Sequence, residues 1–301
     1  MSEKISIKDS DLPALFQSAD KASLNAQRKN IISVKVNLGL LCSAAFLPAL
    51  AVFLDEYVVF IGVVSSIALI FSLFLTGVMW FAGLDQIWFG ARAIAESVKT
   101  LAWRYMTCTE PYFNTLPERE VDLQFASDLR KVLEERKYLS YSLDNADATG
   151  EEISEKMRQV RKSLVEERKN IYFTERLEDQ KKWYSGKANY NKGAKDKWFF
   201  AIALSQIIAF LFIICFIYWP KFVPNLTPFF AALASSFIAW LQVKQHQELA
   251  QSYNLASHEL GFILTQERHV RTDEDLSNFI LDSENAISRE HTLWIARRDK
   301  I

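Results

Sequence analysis

The richest polar chemistry in this chain sits in one stretch, Tyr172–Asn191. Arg176, Asp179, Gln180, Trp183, Tyr184, Lys187 and Asn191 fall at i, i+3, i+4, i+7, i+8, i+11 and i+15, so a helix would carry them on one face. A face mixing guanidinium, carboxylate, amide, indole and phenol is neither a simple apolar stripe nor a simple solvated one. Arg92, Glu96, Lys99 and Trp103 make a similar face at i, i+4, i+7 and i+11. Two readings follow. In one, the faces form a cytoplasmic vestibule or ligand site. In the other, they are an ion-pair and aromatic network that holds helices together.

Enzymatic chemistry finds no such grouping. His258-Glu259 is followed by Leu260-Gly261-Phe262, so the second histidine of a zinc-binding HExxH helix is missing. Around Gly186-Lys187, Lys181 stands where a P-loop needs glycine and Ala188 where it needs Ser or Thr. Cys42, Cys108 and Cys215 form no CxxC pair, and His246, His258, His269 and His291 are scattered. These patterns predict no enzyme, no metal site, no cofactor and no disulfide framework. The net charge of -1 argues against a chain that binds genomic nucleic acid through a global basic field.

The elements that must position these faces are unusual. No charged residue occurs between Lys35 and Asp55, Glu56 and Asp85, Lys197 and Lys221, or Lys221 and Lys244. Each gap is about 19 to 28 residues long, and at about 1.5 Å per residue each can cross a hydrocarbon core of about 30 Å. The whole-chain mean hydropathy of -0.00 conceals this, because apolar hairpins and charged segments such as Glu151–Lys169 cancel. The spans are placed at about 36–54, 58–84, 198–219 and 224–243, as two hairpins. Residues 1–30 are polar and carry no secretory leader, so the first span is expected to stay in the mature protein.

Lysine and arginine flank the spans on one side: Lys21, Arg28, Lys29 and Lys35 before the first, Arg92, Lys99 and Arg104 after the second, Lys181–Lys197 before the third. The hairpin turns carry Asp55 and Glu56, and Lys221 alone. This asymmetry places both termini and the long middle segment in the cytoplasm. Span two is expected to continue past Asp85 to about Thr109, and span four through Gln245–His269, as long cytoplasmic helical stalks. Pro117-Glu118-Arg119-Glu120 opens another helix, with Val121, Phe125 and Leu129 at helical spacing; Asp144–Gly150 is a polar break; a further helix begins near Glu151. The C-terminal stretch from Asp273 repeats Leu276, Phe279, Ile280, Ile287 and Trp294. The fold class is an all-α membrane protein with two transmembrane helical hairpins. A coarse internal repeat divides it at 1–150 and 151–301, each half a polar lead-in, a hairpin and a helical tail.

Within the spans, Ser65, Ser72 and Thr76 share a narrow face of span two; Ser235 and Gln242 lie seven apart on span four. These are pore-lining candidates. The competing reading is helix packing, the commonest use of small and hydroxyl residues in a bilayer. No charge lies at mid-membrane, which disfavours a proton relay or voltage sensor and leaves a gate that works by dewetting.

Residues 172–192 (Tyr-Phe-Thr-Glu-Arg-Leu-Glu-Asp-Gln-Lys-Lys-Trp-Tyr-Ser-Gly-Lys-Ala-Asn-Tyr-Asn-Lys), followed by a hairpin, resemble the SLATT family, two-transmembrane effector domains found beside nucleotide-signalling modules in bacteria. Ser288–Trp294 is similar to that family's C-terminal signature, and Arg92–Tyr105 to another SLATT branch. The resemblance covers most of the chain as two tandem domains. It implies an inner-membrane, multi-pass effector in antiviral defence, an oligomeric pore or ion channel gated by a cytoplasmic nucleotide or oligonucleotide made by a neighbouring nucleotidyltransferase. Arg92, Arg176, Lys181, Lys182 and Lys187 would then meet phosphates, with Trp183 or Tyr184 stacking a base. A homo-oligomer is expected, since four spans hardly enclose water; closed rotational symmetry is the default, with a tetramer as the expectation. The alternative from another class is a non-conducting, membrane-anchored scaffold that recruits a cytoplasmic partner.

Overall fold

A computed structural model describes residues 5–143 and 150–298, with side chains described through Ser288 except for Val52. Among them there is no strand. Ten α-helices follow in order: α1 (Ala14–Leu50), α2 (Val58–Ala82), α3 (Leu84–Met106), α4 (Glu118–Glu135), α5 (Glu155–Lys162), α6 (Val165–Tyr172), α7 (Asp179–Tyr218), α8 (Thr227–Lys244), α9 (His246–Leu264) and α10 (Asp273–Arg298). A π-helical turn, Phe173–Glu178, joins α6 to α7.

Three helical stretches are long and apolar enough to cross a membrane: Ala14–Leu50, Asp55–Met106 and Val165–Tyr218. The fourth expected span is helical over Thr227–Lys244 but stands outside these three, its 18 residues including Pro228, Gln242 and Lys244. α1 continues through Pro48.

The expected tails are helical, α3 running on to Met106 and α9 to Leu264, but each is interrupted at a single left-handed residue. α2 ends at Gly83, left-handed with φ 52°, before α3 begins. Glycine takes that conformation without a Cβ clash. α8 ends in the same way at Gln245, φ 48°, whose N–H donates to the Leu241 carbonyl at 2.8 Å. The helix expected from Glu151 is likewise divided, since Ser163 and Leu164 are extended between α5 and α6. The expected polar break, Asp144–Gly150, lies outside the described residues except for Gly150.

The chain forms two compact units. The first comprises Met1–Gln27, Asp85–Ala188 and Gln251–Ile301. Its core is built from apolar stripes at helical spacing: Ile94 and Val98 on α3, Val121 and Phe125 on α4, Leu276 and Ile280 on α10, all essentially without exposure. Burying a phenylalanine such as Phe125 contributes roughly 1.5–3 kcal/mol. Phe173 stacks on Phe279 with centroids 4.8 Å apart. Ends are capped by side chains: Ser154 accepts from the Met157 N–H at 3.2 Å and donates to the Asp11 carbonyl at 2.7 Å. At α10, Thr272 Oγ1 accepts from the Asp275 N–H, and Asp275 accepts from the N–H groups of Arg271 and Thr272. These bonds satisfy donors a helix start leaves orphaned.

The second unit comprises Arg28–Leu84 and Asn189–Ala250. It inverts the usual pattern. Leu73, Phe74, Trp80, Phe81, Phe199, Phe210 and Ile217 are exposed, while Ala44, Ser65, Ser72, Ser205, Ala234 and Ser236 are buried. In water such a surface would aggregate; against lipid it is at home, and the small residues let the backbones approach closely. Phe46 meets Phe229 at 4.9 Å, and Phe212 stacks on Phe230 at 5.4 Å.

Candidate functional site

The π-helical turn brings Tyr172, Phe173, Arg176 and Leu177 all into the first unit's core. Arg176 is 2% exposed and faces Glu284 of α10, which is 1% exposed. Its Nε and Nη2 donate to the two Glu284 oxygens at 2.9 and 2.8 Å. The same carboxylate accepts from the Tyr172 hydroxyl at 3.0 Å and the Thr100 hydroxyl at 2.7 Å. Four charge-assisted bonds thus tie α3, α6, the π turn and α10 through one side chain. Trp103 packs edge-on to Tyr172 at 5.7 Å.

The face expected over 176–191 therefore divides. Arg176, Tyr184 and Asn191 are buried, whereas Asp179, Trp183 and Lys187 are exposed and Gln180 is half-buried. Trp183, Tyr184 and Tyr253 form an aromatic trio with centroids 5.2–5.7 Å apart, and Lys187 Nζ lies over the Trp183 ring at 5.6 Å. Asn191 belongs to the second unit, where its Oδ1 lies 2.7 Å from Nδ1 of buried His246. Burial, then the nearby Lys244, holds the His246 imidazole below its ordinary pKa.

The α3 face is consumed by the N-terminal segment. Arg92 pairs with Asp20 at 3.0 Å and with Glu96 one turn on. Lys99 pairs with Asp9 at 2.9 Å and lies over the Phe16 ring. Trp103 is 2% exposed, and its Nε1 has no hydrogen-bond partner among the described residues. A cleft of about 480 Å³ opens beside these groups, lined by Ile7, Lys8, Asp9, Leu12, Lys99, Trp103, Thr174, Glu175 and Asp179. It joins Lys99 and Trp103 of one expected face to Asp179 of the other. Its carboxylates outnumber its ammoniums, so a bare phosphate would find little attraction there.

In the spans, Ser72 donates to Asn37 Oδ1 at 2.6 Å, and Asn37 Nδ2 donates to Thr76 Oγ1 at 3.2 Å. Ser65 and Ser72 are turned inward, and the Ser65 hydroxyl is without a partner among the described residues; Thr76, Ser235 and Gln242 are exposed. The three residues of span two thus do not share one environment. The expected Ser288–Trp294 signature lies mostly outside the residues whose side chains are described.

Sequence reasoning missed Glu284, Tyr172 and Thr100 as a network, and Asn37 in the first span. Glu284 had a signal: it falls four residues after Ile280 and three before Ile287, an acid on the apolar face of α10.

A charged helical unit combined with helices of membrane length and lipid-compatible surface defines a helical membrane protein. Its family is set by two adjacent matches. Residues 13–169 match the SLATT_3 model, "SMODS and SLOG-associating 2TM effector domain 3". Residues 172–294 match SLATT_1, "SMODS and SLOG-associating 2TM effector domain 1". The chain belongs to the SLATT family as two tandem domains, a membrane effector. No curated protein and no solved structure matches it.

Proposed function

We propose that this chain is a defence effector that assembles into a homo-oligomeric pore in the inner membrane, with four spans per chain and both termini in the cytoplasm. Its opening dissipates the membrane potential. The observation that carries the reading is polarity left on an otherwise apolar surface: Ser235 and Gln242 are exposed among lipid-compatible neighbours, as is Thr76, whose hydroxyl is bonded to Asn37 and to the Ser72 carbonyl. A polar side chain facing hydrocarbon without a partner costs roughly 1–3 kcal/mol on protein-based scales, so such groups belong against another copy or a water-filled axis. The 18-residue α8 spans about 27 Å, close to the roughly 30 Å of a hydrocarbon core.

The signal is a nucleotide or oligonucleotide from an associated nucleotidyltransferase. Arg92 and Arg176 are spent on Asp20, Glu96 and Glu284, so phosphates fall first to Lys181 and Lys182, with Lys187 held over the Trp183 ring. Exposed Trp183 offers a face for a base, while Tyr184 is buried. The signal gates only by binding the open and closed states unequally.

The test is ion flux through liposomes carrying the purified protein, with and without a panel of cyclic and linear nucleotides. Nucleotide-switched flux that T76L abolishes without loss of assembly is the expected result. Well-assembled protein that conducts under no condition would sink the pore and favour the anchored scaffold.

A further inference from the structure

Trp240 of α8 carries an ammonium over its ring from each of two directions in sequence: Lys35 Nζ of α1 at 5.3 Å and Lys244 Nζ of α8 at 5.7 Å from the centroid. The two nitrogens are therefore no more than about 11 Å apart. Trp198 of α7 walls the cluster, its ring 6.1 Å from Trp240. All four residues belong to the second unit, so three of its helices meet here.

We propose that Lys35, Trp240 and Lys244 form a binding site for the phosphate of an anionic phospholipid headgroup. The two ammoniums repel one another, and Lys35 forms no ion pair among the described residues. Two segments that frame this end, 28–35 and 189–197, are rich in lysine and arginine, and 244–250 adds Lys244. Their acids are Asp196, already paired with Lys195 at 3.4 Å, and Glu248. A phosphate receiving one charge-assisted bond of about 2.8 Å from each lysine needs nitrogens roughly 5–8 Å apart. The flexible four-carbon stems of lysine close the remaining gap.

The occupant is a lipid rather than a free anion because the helices that carry the cluster present apolar side chains outward. Phe199 and Phe200, which follow Trp198 on α7, are 69% and 68% exposed, and Ile238, two residues before Trp240 on α8, is 41% exposed. Acyl chains cover such surface; a soluble phosphate leaves it bare. Indole rings favour the headgroup level of a bilayer, and basic pockets between spans are a recurrent headgroup site. The site does not depend on conduction, so it stands or falls separately from the pore.

The test uses the full chain, delipidated in mild detergent and titrated with phosphatidylglycerol, phosphatidylcholine or inorganic phosphate, read by native mass spectrometry and tryptophan fluorescence. Wild type is expected to retain phosphatidylglycerol. K35Q/K244Q weakens that binding at least tenfold, K35R/K244R keeps it, and K221Q, in the turn of the second hairpin, leaves it unchanged. Size-exclusion behaviour reports assembly; should the double variant fail to assemble, K35Q alone, at an exposed position, is expected to weaken binding severalfold. Equal phosphatidylglycerol affinity in wild type and the Lys35 variants would overturn the site. So would phosphatidylcholine binding as tightly, or inorganic phosphate competing at the same concentration as the lipid.

Discussion

Replacing Glu284 is the sharpest probe of the first unit. Its carboxylate accepts both Arg176 bonds and the Tyr172 and Thr100 hydroxyls, with both ionic partners essentially out of water. E284A leaves a buried guanidinium without its counter-charge, which costs about 3–5 kcal/mol. The two orphaned hydroxyls each face a penalty of about 1–3 kcal/mol, though relaxation around the shared cavity keeps the terms from adding. For a unit of this size the transition should fall by about 6–20 °C. The assay is thermal unfolding in lipid nanodiscs followed by near-ultraviolet circular dichroism. Because the pair is buried, salt between 0.1 and 1 M should change the deficit little. The double variant R176M/E284M should recover the part of the loss due to the uncompensated charge, since apolar groups of similar volume replace the pair, and keep the part due to the two hydroxyls. An E284A transition within about 2 °C of wild type, or a double variant as unstable as E284A, would refute the assignment of this pair as the unit's clamp.

Other expectations follow from single contacts. A Cβ at Gly90 would lie 2.5 Å from Leu139 Cδ1, in the core, so G90A should destabilise by about 1–3 kcal/mol, measured by the same melt. G83A places a side chain at φ 52° and should cost about 1 kcal/mol, seen as a smaller shift. The Thr272 hydroxyl, then the N–H groups of Arg271 and Thr272, hold the Asp275 carboxyl below the ordinary carboxylate range. That contribution is full above the unfolded-state pKa and is lost as pH falls through the folded one, so wild type should lose more stability on acidification than D275N; equal acid profiles would remove this role. Burial pushes the Cys108 thiol up, outweighing the influence of Arg161 and Arg168. Maleimide should therefore modify Cys108 in the folded protein far more slowly than in denaturant, read by mass spectrometry.

The absence of charge over the four gaps determined by itself that the chain is a helical membrane protein, because a long uncharged helix is stable in hydrocarbon whatever its neighbours. The apolar repeats on α4 and α10 likewise announced a packed helical unit, with Phe125 and Ile280 where the period placed them. Two local motifs carried the family. Sequence could not settle the environment of each polar residue on a face, because a helical period gives angle and not what lies opposite. The face over 176–191 was legible as polar, but only packing divided it into a buried clamp at Arg176 and an exposed patch at Trp183 and Lys187. Partners such as Glu284 for Arg176, 108 residues away, are set by how α10 docks. The breaks at Gly83 and Gln245 were hidden for a different reason: glycine in a helical pattern is ambiguous, and a left-handed glutamine has no sequence signal of its own. The pairing of Lys35 with Trp240 and Lys244 is purely tertiary, since only the meeting of α1 with α8 puts two like charges over one ring.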